Sequence, residues 1–344
     1  MRSARSVELR RLLPRGWEQS LRERERSPLW DLLPRGVTRE GVVLGHHLRE
    51  GRFQRSLALI AAGSAVLAGL EVSYEHYRGS YSQRKMYLPV ALTPPLVAAG
   101  IWCVFSRRAA RVVLPGIALL HVGTGVLGFV YHLRGIARKP GGFSLPVTNI
   151  VMGPPPFAPL LFAVPGYLAF IASFLRREDD PRGRFLPLRK GPVWRGLIPG
   201  LPLRRDRRLR RELREGRFQQ HMAFASAAAG LFSALEALYS HYKNRFRYFA
   251  EWTPLLCGGL LAAAGAATVI DGRAARKLLP AASALAIADG GLGFWYHGRG
   301  ILRRPGGTKH LLYNIMYGPP IFAPLLLGAA GFLGVLASLL RREQ

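Results

Sequence analysis

The sequence predicts an all-α integral membrane protein made by tandem duplication of a four-transmembrane-helix unit. Three observations predict it. Long apolar runs poor in charge recur along the chain, among them 57–70, 112–130 and 323–340. Residues 49–178 return 165 positions later without a gap, and 57 of these 130 paired positions are identical. Lys and Arg are concentrated in alternate connecting segments, as the positive-inside rule requires of a multi-pass chain.

The elements follow in order. A bilayer helix needs about 20 mostly apolar residues. Eight segments reach or approach this, roughly 57–77, 88–105, 112–133, 154–175, 222–242, 253–270, 278–298 and 319–340. That is four per copy, an even number, so both copies enter the membrane in the same orientation. They are then parallel repeats related by a pseudo-two-fold axis along the membrane normal. Two separate four-helix bundles and one eight-helix body both satisfy this pattern. The 39 glycines suit membrane helices, where small residues let backbones approach.

The ends and the join are basic. Residues 1–48 form a Pro-interrupted tail, residues 179–213 link copy one (49–178) to copy two (214–343), and the linker contains the dense basic run 204–211. With the first helix starting inside, segments 1–55, 106–111, 176–217, 271–277 and 341–344 are inner and hold 36 of the 49 Lys and Arg. Both termini then lie in the cytoplasm. Arg outnumbers Lys and Ala, Gly and Pro are abundant, which suits a bacterial chain in the inner (cytoplasmic) membrane. The formal charge of +29 would by itself suit nucleic acid. No recognised binding motif accompanies it, so nucleic acid is not expected as a partner. Anionic lipid is, at about 1 kcal/mol per basic residue near the surface. Trp17, Trp30 and Trp194 would lie at the interface, and docking of a protein partner in a membrane complex is the alternative use of these segments. The first ten residues lack an apolar core, so no cleavable signal is expected. Cys103 and Cys257 are not repeat equivalents and read as apolar fillers rather than a disulfide or thiolate site.

Many kept residues are punctuation. Pro89 pairs with Pro254 and Pro115 with Pro280. Gly153-Pro154-Pro155 and Pro159 pair with Gly318-Pro319-Pro320 and Pro324. Proline is well tolerated in a first turn, so these residues start the fourth helix of each copy. Before them, Pro140-Gly141-Gly142 and Pro305-Gly306-Gly307 are turns by composition, and 143–152 is apolar enough to lie in the interface or re-enter the bilayer.

The kept polar residues collect at one end. Glu71, Tyr74 and His76 return as Glu236, Tyr239 and His241; His132 and Arg134 return as His297 and Arg299; Asn149 returns as Asn314. All fall near the outer face under this topology. Glu71 lies about 9 Å inside the helix end marked by Tyr77. A charge there is costly, so a deep carboxylate needs a partner, a proton or a cation. Tyr74 shares its face, whereas His76 is about 140° around the helix. Glu71 is therefore expected to meet a group from another helix, such as His132 or Arg134. Asp289 replaces Thr124, and His121 becomes Ala286; these differences fit singletons facing a polar cavity.

Three functional readings use this set. His76 and His132, and likewise His241 and His297, stand at the same depth on two helices of one copy. Two such histidines can ligate haem b, with Arg134 or Arg299 at its propionates. This layout resembles the bis-histidine arrangement of membrane cytochromes b, which implies electron transfer as a subunit of a larger complex. A transition metal is the second reading, with Glu71, His76 and His132, or Glu236, His241 and His297, as ligands. A quinol is the third, its hydroxyl protons accepted by the same Glu, His and Tyr groups. A transporter or channel with a path between the repeats, and a cofactor-free membrane scaffold, are the alternatives. Whether the protein is an enzyme does not follow from these residues.

Overall fold

The computed structural model describes residues 53–175 and 217–340. The basic tail, the linker, their tryptophans and the C-terminal Arg341-Arg342-Glu343 lie outside the described residues, and so do the expectations resting on them. Among the described residues regular structure is helical and no strand is present. Copy one contains α1 (Phe53–Arg78), α2 (Tyr87–Phe105), α3 (Leu114–Ala137), the short α4 (Pro146–Val151) and α5 (Ala158–Phe174). Copy two contains α6 (Arg217–Lys243), α7 (Thr253–Ile270), α8 (Ala274–Leu302), the short α9 (Leu311–Tyr317) and α10 (Ala323–Leu339).

The helix ends follow from the punctuation. At the end of α1 the Tyr81 N–H reaches the His76 carbonyl (3.0 Å) and the Ser80 N–H reaches that of Tyr77 (2.8 Å). At the end of α6 Phe246 reaches His241 (3.1 Å) and Arg245 reaches Tyr242 (2.9 Å). This is the Schellman closure, which satisfies carbonyls that a helix end leaves open. The turn residue is usually glycine, but here Ser80 (φ 59°) and Arg245 (φ 58°) take the left-handed conformation. Gly141 (φ 78°) and Gly306 (φ 80°) hold the later turn, as their composition implies.

The kept Leu-Pro pair of the third helix is accommodated in two ways. Copy one forms a π turn at Ala109–Val113, which places Pro115 at the start of α3. Copy two runs through Pro280 in one continuous helix. The fourth helices start later than 154 and 319. Pro154-Pro155 and Pro319-Pro320 precede them, and Pro159 and Pro324 sit in their first turns. This leaves α5 and α10 at 17 residues each.

Among the described residues six helical stretches are long and apolar enough to cross a membrane: Phe53–Arg78, Arg84–Phe105, Ala109–Ala137, Phe218–Lys243, Phe249–Ile270 and Ala274–Leu302. The two 17-residue helices are apolar but shorter. In copy one α1, α2, α3 and α5 pack as a ring in that order, with α5 closing onto α1; α6, α7, α8 and α10 do the same. Thus α1 stands diagonally across from α3, and α6 from α8. The rings meet where α5 packs on α6 and α1 on α10, and each short helix touches the first helix of the other copy.

Small residues set these crossings. A methyl group on Gly100 would lie 2.8 Å from the Ala58 carbonyl oxygen, and one on Gly265 would lie 2.9 Å from that of Ala223. On Gly125 it would meet the Pro159 oxygen at 2.6 Å, and on Gly290 the Pro324 oxygen at 2.8 Å. Only glycine permits such backbone approach, which is how helices associate where lipid provides no hydrophobic drive. Between the copies, Phe53 packs edge-on against Phe218 (5.8 Å), Phe157 stacks on Phe232 (6.3 Å), and Tyr167 and His221 share a hydrogen bond (2.7 Å). Aromatic rings thus make much of this seam, and the Tyr167–His221 pair adds a polar bridge to it.

Candidate functional site

The polar residues kept in both copies gather at the ends of α1, α3, α6 and α8, and they divide by whether a backbone carbonyl engages them. Asn149 lies in α4, where its amide donates to the carbonyls of Pro140 (2.9 Å) and Gly142 (2.6 Å). Asn314 in α9 donates to Pro305 (3.2 Å) and Gly307 (3.0 Å). Both asparagines thus staple the Pro-Gly-Gly turn to the short helix. That contact explains why turn and asparagine recur together.

The tyrosines reach across the seam. The Tyr74 hydroxyl donates to the Gly318 carbonyl (2.8 Å), and the Tyr239 hydroxyl donates to that of Gly153 (2.7 Å). Each copy holds the Gly-Pro-Pro loop of the other. At these loops a methyl on the glycine would collide with the Asn149 or Asn314 carbonyl, so glycine is required. Arg78 donates to the Tyr74 hydroxyl (3.3 Å) and pairs with Glu75 (3.7 Å). Lys243 donates to the Tyr239 hydroxyl (2.5 Å).

The histidines are half-buried, and one face of each is fixed. Nδ1 of His76 contacts the Met86 carbonyl (2.6 Å), that of His241 the Glu251 carbonyl (2.6 Å), that of His132 the Pro155 carbonyl (2.5 Å) and that of His297 the Pro320 carbonyl (2.6 Å). A carbonyl only accepts, so in all four rings Nδ1 carries the proton and Nε2 of the neutral ring presents a lone pair. Donation of one ring nitrogen to a backbone carbonyl is how ligating histidines are oriented. His76 and His132 lie within range of each other's charge, as do His241 and His297. Both pairs sit on diagonal helices of their ring.

Glu71 and Glu236 are not within their own copies' histidine clusters, as sequence spacing suggested, but at the seam. The charged groups acting on Glu71 are Glu75, Glu236 and Arg78 rather than His132 or Arg134. Glu236 feels Glu75 and Lys243, and its carboxyl lies against the Ala158 N–H at the start of α5. Oε2 of each glutamate is buried without a hydrogen-bond partner. Buried polar atoms are nearly always bonded, so a repeated exception at equivalent positions marks a place. Directly inward, one turn from Glu236, the Phe157–Phe232 stack closes the seam.

The remaining candidates are scattered. Arg134 and Arg299 are exposed, and Arg299 lies over the Trp295 ring (5.3 Å). Asp289 is buried, faces the Thr253 hydroxyl and lies within range of His241. His121 is wholly buried and stacks on Phe162 (3.9 Å); the backbone carbonyls of Phe162 and Leu92 lie beside its ring, but neither nitrogen makes a hydrogen bond of normal geometry. Among the described residues no three or more His, Cys, Asp or Glu come together to hold a metal ion.

Missed from sequence were the Gly153 and Gly318 carbonyls as tyrosine acceptors, Lys85 over the Tyr131 ring (3.8 Å), and the Tyr167–His221 bridge. The two glycines carried a signal, being kept, but the others differ between copies. No protein-family model matches the chain, and neither a curated protein nor a solved structure matches it. Fold and geometry define an all-helical chain with apolar helices suited to a multi-pass membrane protein, and its use must be argued from the site itself.

Proposed function

We propose that the chain crosses the membrane eight times, as parallel repeats with both termini cytoplasmic, and carries one redox-ligand site per copy at the outer face. Helices of 17 residues fall at the short end of the spanning range. α5 and α10 each pack on the first and third helix of their ring, so they lie in the same layer as the longer helices. The ligand of each site is haem b or a quinol, and the protein serves as a membrane subunit of an electron-transfer system.

One observation carries this: four equivalent histidines, in two diagonal pairs, all have Nδ1 fixed on a carbonyl and Nε2 presented. Nε2 lone pairs of this kind ligate iron or accept hydroxyl protons. A bound haem would supply one-electron chemistry. For either ligand, His76 with His132 and His241 with His297 do the gripping, and Arg134 and Arg299 hold carboxylates at the rim.

The test is a reduced-minus-oxidised absorption spectrum of the purified protein, with iron analysis and quinone extraction of the same sample. Haem bands with stoichiometric iron select haem; quinone without such bands selects quinol. Neither ligand, in protein isolated from native membranes without exchange, overturns the proposal. His132→Ala with His297→Ala removes the ligand and leaves the chain folded in the membrane.

A second reading rests on the seam. Two buried carboxylate oxygens without partners, one from each copy, suit a proton or cation path between the repeats, closed inward by Phe157 and Phe232. Flux across vesicles containing the protein, abolished by Glu71→Gln with Glu236→Gln, would support it. Absence of any such flux removes it.

A further inference from the structure

The loop that ends α6 differs from its counterpart in a way the fold does not require. Both loops make the same Schellman closure with left-handed residues at the same two positions, Ser80 and Tyr81 in one and Arg245 and Phe246 in the other. Copy one fills the loop with Gly79-Ser80-Tyr81-Ser82; copy two fills it with Asn244-Arg245-Phe246-Arg247. Arg245 stands where glycine would be less strained. Its side chain is exposed and has no carboxylate partner among the described residues.

Arg245 opens onto a groove of about 700 Å³ between the end of α6 and α4 of the other copy. Its walls are Val151, Met152, Tyr242, Lys243, Arg245 and Phe246, none of them acidic. Lys139 and Arg78 also lie within range of the Lys243 charge, as do the carboxyl groups of Glu75 and Glu236. Of these, Arg78 is already paired with Glu75. The wall contributed by copy one is apolar and open: Met152 is 66% exposed, and Val147 on the same short helix is 61% exposed. Tyr242 and Lys243 end a helix long enough to span, so the groove sits where headgroups meet acyl chains.

We infer that this groove binds one anionic phospholipid, its phosphate on Lys243 and Arg245 and an acyl chain along Val151 and Met152. A cationic rim over an exposed apolar wall at the end of a spanning helix matches that amphiphile at both ends. Free phosphate would need the cations but not the apolar wall. The counterpart loop has Arg78 and Ser80 where copy two has Lys243 and Arg245, so it lacks the second cation and one such lipid is held per chain. This inference rests on the chain lying in a membrane and not on the histidine pairs binding a ligand.

The test is native mass spectrometry of the full chain in detergent, titrated with phosphatidylglycerol or phosphatidylcholine. One phosphatidylglycerol should be retained, with roughly tenfold preference over phosphatidylcholine. The preference should vanish in Lys243→Gln with Arg245→Ser. That variant is expected to fold, because Ser80 already holds the same left-handed position in copy one. Arg84→Gln with Lys85→Gln, an equal charge change in the other loop, should keep the preference. Equal retention of the two lipids, equal loss in both variants, or full displacement by inorganic phosphate alone would each overturn the inference. The last of these would indicate a site for free phosphate.

Discussion

The two copies share their latches and differ in their unsatisfied groups. The Tyr-to-Gly bonds, the His-to-carbonyl bonds, the Asn staples and the Schellman turns recur 165 residues apart with nearly the same lengths. Each engages a backbone carbonyl whose position the fold fixes, so both copies need the same donor. The differences lie elsewhere. His121 is a buried unbonded imidazole in copy one where copy two has Ala286; Asp289 replaces Thr124; Arg245 replaces Ser80. Among the described residues Glu71 and Glu236 are kept and each left with an unbonded buried oxygen, as is Gln219, whose equivalent in copy one is Gln54. The contrast teaches that keeping a polar residue in both copies is not by itself a sign of a ligand. Most such residues hold loops. The exceptions are the atoms that no carbonyl occupies: the four Nε2 nitrogens and the two glutamate oxygens.

The largest effect should come from filling the crossings that both copies share. Gly125→Val and Gly290→Val each push a side chain into the carbonyl of the facing proline, and each should cost about 3 kcal/mol or more. Gly123 and Gly291, on the same helices but open to the surroundings, should accept the same change with little loss. The check is the unfolding midpoint in a denaturing detergent titration for all four variants. Equal losses at tight and open positions would show that the helices cross differently.

Next comes the reciprocal latch. Tyr74→Phe and Tyr239→Phe each remove one hydrogen bond and leave a loop carbonyl without its donor, a loss of about 1–2 kcal/mol. Because the two bonds face each other across one seam, the losses should match between copies. A loss in one variant only would mean that the copies do not hold each other symmetrically.

How much of this was legible beforehand depends on the distance over which residues act. Helix positions follow from apolar runs of fixed length, and the kept proline runs mark the approach to the fourth helices, which start at Ala158 and Ala323 rather than at 154 and 319. The fourth helices came out shorter because Pro154-Pro155 and Pro319-Pro320 lie within an irregular stretch that runs on to Phe157 and Phe322. The site was legible as a set of residues but not as a set of contacts. Sequence spacing put Glu71 beside His132 because both belong to copy one. The structure places it across the seam from Glu236, and Tyr74 finds an acceptor 244 residues away. An internal repeat identifies equivalent positions; it carries no information about whether equivalents meet their own copy or the other.

The unmatched histidine tests the difference between copies more finely. His121→Leu removes a buried imidazole that makes no hydrogen bond of normal geometry to the Phe162 and Leu92 carbonyls beside it, while preserving an apolar contact with Phe162. Replacing an unsatisfied buried polar group by an apolar one of similar shape is neutral or stabilising, here by up to about 1 kcal/mol. A clear loss of stability instead, seen in the same detergent titration, would show that His121 is bonded to something that fills its cavity in the membrane, and would make it part of a site found in copy one alone.

The smallest effect separates strain from use at the two helix ends. Ser80 and Arg245 occupy the same left-handed position, with φ of 59° and 58°. A side chain there strains the backbone, whereas glycine does not, and glycine's extra freedom in the unfolded chain offsets part of the gain. Ser80→Gly should therefore stabilise the protein by about 0.5 kcal/mol. If Arg245 were equally idle, Arg245→Gly would do the same in any medium. With the arginine holding a phosphate, the glycine variant gains about the same in lipid-free detergent but loses that gain once anionic lipid is added. Thermal unfolding of both variants, with and without phosphatidylglycerol, reads this out. Parallel behaviour of the two glycine variants in lipid would mean that the cation in copy two has no more role than the serine in copy one.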